Sequence, residues 1–79
     1  MKISEIKTRS AYSNGDFGNN WTVWQVVDIF IDSEKQQIAR YRVMAGENRR
    51  KTFSCLLIEF ADKVRYEVQL NENSWRRVE

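Results

Sequence analysis

The chain has 79 residues, with 13 basic and 11 acidic side chains, no histidine, no proline and one cysteine. A length of this order accommodates a single domain (residues 1–79), and a lone cysteine excludes an intramolecular disulfide. The missing histidine removes the commonest general base, the commonest metal ligand and every His-dependent triad.

Residues 2–9 read as a short strand or an extended lead-in. The charges within Met1 to Lys7 interrupt any apolar run, so this segment is not expected to act as a signal peptide. No stretch reaches the roughly 20 apolar residues that span a bilayer. Ser10 to Ser13 precedes Asn14-Gly15, whose tolerance of positive φ marks a tight turn.

Residues 21–32 then read as one long strand, rich in β-branched and aromatic side chains. Strict alternation puts Trp21, Val23, Val27, Ile29 and Ile31 on one apolar face, and Trp24, Val26 and Phe30 beside Asp28 and Asp32 on the other. A polar turn at Ser33 to Gln36 returns into a second strand over 38–43. The expected core is Val23, Val27, Ile29, Tyr41 and Val43. Ala45 to Asn48 reads as a turn, and residues 49–55 as a third strand.

Residues 57–68 fit two templates. Leu57, Phe60, Ala61, Val64 and Val68 form a helical stripe, while Val64, Tyr66, Val68 and Leu70 alternate as in a strand. Glu59 and Asp62 in the early turns favour the helix, because acidic side chains complement its N-terminal dipole. Asn71 to Ser74 breaks the pattern, and the segment 71–79, with Trp75, ends as an edge strand or a tail. The fold expected is α+β: a small, strongly curved antiparallel sheet of three to five strands with one short helix.

Charge is distributed unevenly. Residues 1–34 hold three basic and five acidic side chains, residues 35–51 six and one, and residues 52–79 four and five. The basic block is local, as a binding patch would be. Within it Arg40 and Arg42 alternate with Ala39, Tyr41 and Val43 and so leave one strand face, with Arg49, Arg50 and Lys51 past the next turn. Trp24 and Phe30 are expected on the same sheet surface. Cations interleaved with aromatics hold single-stranded nucleic acid through phosphate contacts and base stacking, and Trp and Arg equally make protein–protein hot spots. The bland alternative is a solvated face whose arginine stems cover apolar surface. Asp28 and Asp32 are about 13 Å apart on a regular strand, too far to share one cation. Cys55 lies in an apolar stretch and reads as core packing. Neither a metal, a cofactor nor catalysis is expected.

Tyr12-Ser13-Asn14-Gly15, Val26-Val27-Asp28-Ile29, Tyr41-Arg42-Val43 and Thr52-Phe53-Ser54-Cys55 with Phe60-Ala61 follow one another in an order that resembles small uncharacterised proteins encoded by phages and prophages. The resemblance spans roughly residues 3–68. The chain departs from it at Lys63-Val64, where a second aromatic is expected, in a longer loop before Trp21, and in the added segment around Trp75. It implies an SH3-like curled sheet followed by a short helix, and a cytoplasmic protein that binds a host complex without catalysis. An anti-CRISPR-like antagonist of a defence complex, such as a CRISPR effector, is the most concrete version. The low net charge argues against imitation of DNA. The partner-binding residues expected are Arg40, Arg42, Arg49, Arg50, Lys51, Trp24 and Trp75, on a monomer or homodimer that does not enter membranes. A nucleic-acid-binding module using the same basic and aromatic face is the alternative.

Overall fold

A computed structural model describes residues 1–78. It is an α+β fold built on one open antiparallel sheet. The strands are β1 (Ala11–Ser13), β2 (Val23–Ile31), β3 (Gln37–Ala45), β4 (Thr52–Leu56), β5 (Tyr66–Asn71) and β6 (Ser74–Arg77), with one helix, α1 (Leu57–Lys63). Six strands exceed the three to five expected from the sequence, because both readings of residues 57–68 are realised in succession. The helical stripe ends at Lys63, and the alternating Tyr66, Val68 and Leu70 belong to β5.

The spatial order is β4-β3-β2-β1-β5-β6. β2, β3 and β4 form a meander of sequential hairpins, and α1 carries the chain across to β5 on the far side of β1. Residues 2–9 contribute a 3₁₀ turn at Ile3–Glu5, not a strand. The C-terminal segment is an edge strand, as one of the two sequence readings had it. No described helix is long and apolar enough to cross a membrane.

The pairing of β2 with β3 departs from strict alternation. Val26 stands opposite Tyr41, but Asp28 stands opposite Arg40, so Val27 is an extra residue in β2. Such a bulge reverses the facing of everything beyond it. Trp24, Val26 and Ile29 therefore share one face, and Asp28 and Phe30 take the other. Val27, expected in the core, is 46% exposed, and Val26 is wholly buried in its place. Ile31, also assigned to the core face, is 65% exposed. Val23, Tyr41 and Val43 are buried as expected, and Ile29 is half-buried.

Two apolar clusters result. On the helix side, Leu57, Phe60, Ala61 and Val64 close over Tyr12, Val26, Ala39 and Tyr41. The Tyr12 hydroxyl, fully enclosed, donates to the Glu5 carbonyl at 3.0 Å and accepts from the Lys7 amide at 2.7 Å, so its burial leaves no bond unmade. On the opposite face Ala11, Val23 and Val68 pack with Trp21, Met44, Tyr66 and Trp75. The remainder of that face, over β2, β3 and β4, carries no covering element among the described residues.

Candidate functional site

The uncovered face takes its character from the register of β3. Arg40 lies opposite Asp28 on β2 and Ser54 on β4, while Arg42 lies opposite Gln25 and Thr52. Directly opposed residues project to the same side of an antiparallel sheet, so these side chains form one surface. Arg40 Nη1 is 3.4 Å from Asp28 Oδ2, with both side chains about half exposed, and the guanidinium carbon stands 5.2 Å from the centre of the Phe30 ring. The pair is solvated and contributes at most about 1 kcal/mol. Its consequence is positional, since Asp28 and Phe30 hold Arg40 flat along the sheet.

The β3–β4 turn bends two further arginines to this end of the sheet. Arg42, Val43, Met44, Arg49 and Arg50 line a hollow of about 190 Å³. Gly46 enters the turn at φ +98°, and a Cβ there would come within 2.7 Å of the Trp21 carbonyl oxygen, so the position requires glycine. At the turn's exit the Arg50 amide donates to the Val43 carbonyl at 2.8 Å, and the Val43 amide donates to the Lys51 carbonyl at 2.9 Å. Two residues thus oppose one, with Arg50 at φ +75°. That is a G1 bulge, in which the position of Arg50 is ordinarily glycine. A side chain in the left-handed region costs on the order of 1 kcal/mol.

The expected binding residues divide. Arg40, Arg42, Arg49 and Arg50 come together, and Phe30 joins them as expected. Lys51 is exposed, one position before β4 begins. Trp24 does not join them, because it precedes the Val27 bulge and faces α1. Its ring lies 6.1 Å from that of Tyr41 and 6.3 Å from that of Phe60, in edge-on packing. Trp75 is half-buried in the second cluster and lines a separate hollow with Met44, Gln25 and Leu70.

Sequence reasoning missed Lys63. Its ammonium donates to the Tyr41 hydroxyl at 2.6 Å and stands 4.2, 5.0 and 5.8 Å from the ring centres of Tyr41, Trp24 and Phe60. The available signal was its place one helical turn after Phe60, which sets both over the same patch of sheet. Cys55 is half-buried on this side, and burial pushes its thiol above the ordinary range despite the nearby Lys63 charge. Such a thiol holds little nucleophilic thiolate at neutral pH.

The acidic residues at the tip of the β2–β3 hairpin have structural work. Asp32 Oδ1 accepts from the Glu34 and Gln36 amides, both at 2.9 Å, and so closes the turn. No cluster of potential metal ligands occurs among the described residues. Comparison with protein-family models, curated proteins and solved structures finds no match to this chain.

Proposed function

We propose that this chain is a non-catalytic binding protein of phage type that antagonises a bacterial defence complex, in the manner of an anti-CRISPR protein, by docking its arginine face on an acidic protein surface. The observation that carries the binding reading is the convergence of Arg40, Arg42, Arg49 and Arg50 on one uncovered sheet face, where a single ion pair, Arg40–Asp28, occurs among the described residues. Guanidinium groups pair with carboxylates through two parallel bonds and are enriched at binding hot spots. Arg50 adds support, because a strained arginine stands where glycine would fit, and stored backbone strain is concentrated at functional positions. The phage setting rests on the sequence resemblance, and with it come the host cytoplasm as the place of action and an SH3-like character for the sheet.

A protein partner is favoured over nucleic acid by the position of Trp24. Base stacking needs an open aromatic beside the cations, and Trp24 lies on the other face while Phe30 is already overlaid by Arg40.

The test is phage plating on cells carrying a defence system, with and without expression of the protein. An Arg40→Glu, Arg42→Glu double variant should fold normally and lose antagonism, since each anchor of this kind contributes at least about 2 kcal/mol. Arg50→Gly separates binding from folding more sharply. It should raise stability by about 1 kcal/mol while weakening antagonism. Full protection of phage by the double variant would place the interface elsewhere. No protection by the parent against a broad panel of defence systems would sink the antagonist reading, and salt-sensitive oligonucleotide binding would replace it with the nucleic-acid one.

A further inference from the structure

We infer that the chain forms a two-fold dimer by antiparallel pairing of β4 with β4 of a second copy. The inference does not depend on the function proposed above.

The two edges of the sheet are unlike. β6 is four residues long and carries Arg76 and Arg77, and charges on a short strand are the usual guard against edge-to-edge pairing. β4 reads Thr52-Phe53-Ser54-Cys55-Leu56, with no charge and no proline, and its five residues pair regularly with β3 without a bulge. Among the described residues its outer side has no neighbouring strand.

The hydrogen bonds at the start of the hairpin show which groups point outward. The Lys51 carbonyl accepts from Val43 and therefore faces β3. By the alternation of an antiparallel ladder, Phe53 and Cys55 also bond towards β3, while Thr52 and Ser54 direct their amides and carbonyls, and Leu56 its amide, away from the sheet. The Leu56 carbonyl, at the N-cap of α1, serves the helix. Thr52, Phe53 and Ser54 are exposed, so these groups are open to an incoming strand.

A second copy pairs most of this edge. A two-fold axis at Ser54 sets Ser54 against Ser54 of the second copy, the two exchanging both backbone bonds, and Thr52 against Leu56 in both directions, each Leu56 amide donating to the Thr52 carbonyl opposite. On the helix side the same register places Phe53 opposite Cys55 of the second copy, twice. Phe53 is 41% exposed, and the contact covers part of its ring with the thiol of Cys55, which packs as a small apolar side chain. Pairing β4 to β6 instead would be a heterologous contact, building rings or filaments, and would set the neutral edge against arginines, whereas self-pairing closes at two copies.

Charge does not oppose the arrangement. On the arginine face the row across the axis reads Arg40, Ser54, Ser54 and Arg40, so the two guanidinium groups are three strand spacings, about 14 Å, apart. That exceeds the screening length of about 8 Å at physiological salt, and each Arg40 keeps its own Asp28. The dimer would present both arginine faces on one continuous surface.

Sedimentation over a range of concentrations tests the proposal. The parent should be a dimer in reversible exchange with monomer. Ser54→Pro removes an outward amide and leaves the bonds to β3 intact, so it should weaken dimerisation by about tenfold or more with little change in monomer stability. The register is tested independently by a Ser54→Cys, Cys55→Ser variant. Its two cysteines would stand with Cα atoms about 5.5 Å apart, and mild oxidation should join them in a covalent dimer. A parent that stays monomeric into the millimolar range would overturn the proposal. So would a dimer that neither is weakened by Ser54→Pro nor cross-links at position 54.

Discussion

Lys63 shows how one residue type answers two demands at once. Its four-carbon stem covers apolar surface beside Phe60, and its ammonium is held by three ring faces and a phenol oxygen, with no carboxylate within ion-pair distance among the described residues. Ring quadrupoles attract a cation by roughly 0.5–2 kcal/mol, more as water is excluded. Two other groups on the same side, Tyr12 and Cys55, couple stability to alkaline pH. Burial is the largest influence on both and raises both above their ordinary values. Between the unfolded and folded values the folded chain holds a proton that the unfolded chain has released. The stability these groups contribute is complete below their unfolded values and is lost as pH rises towards their folded ones. The thermal midpoint should therefore fall on going from about pH 8 to about pH 11, the thiol acting first and the phenol later. Cys55→Ser should remove the earlier part of the decline. A midpoint that stays level across this range in the parent would contradict the assignment.

The hairpin of β2 and β3 is the element on which the arrangement of the molecule depends, and Val27 is its pivot. Val26→Asp sets an unpaired carboxylate in the sealed core and should unfold the protein, whereas Val27→Asp places it in solvent and should change stability by about 0.5 kcal/mol or less. Thermal melts of the two variants decide the facing, and a Val27→Asp protein that fails to fold would mean the bulge has been misplaced. The existence of both strands and the alternation of Arg40 with Arg42 were legible in the sequence, since each rests on local propensity or period. The bulge was not, because Val26, Val27 and Ile29 are equally apolar and an extra residue leaves no compositional mark. That single insertion explains why Phe30 was placed rightly and Trp24 wrongly. Residues 57–68 escaped for a related reason. The helical and strand patterns overlap across Val64 and Val68, and only tertiary pairing of β5 with β1 ends the helix at Lys63.

At the scale of the whole molecule, a seven-residue helix about 10 Å long cannot cover a structure 39 Å in its longest dimension. The helix closes the middle of one face and leaves Ile31 and Phe53 beyond its reach, and no described element closes the arginine end of the other. Among the described strands the two halves of the sheet are joined through β1, three buried residues that pair with β2 on one side and with β5 on the other. This has a consequence for the order in which the chain finds its structure. The meander of β2, β3 and β4 needs only short loops to close, whereas setting Ala11 beside Val68 brings together residues 57 positions apart (68 − 11) and costs about 2 kcal/mol more in loop entropy. The meander should therefore be formed in the folding transition state, and the β5–β6 hairpin should dock on β1 after the barrier. Val43→Ala is expected chiefly to slow refolding, and Val68→Ala chiefly to hasten unfolding, when both are followed in denaturant jumps. If Val68→Ala slows refolding in full proportion to the stability it removes, β1 is seated before the barrier, and the two halves of the sheet are born together.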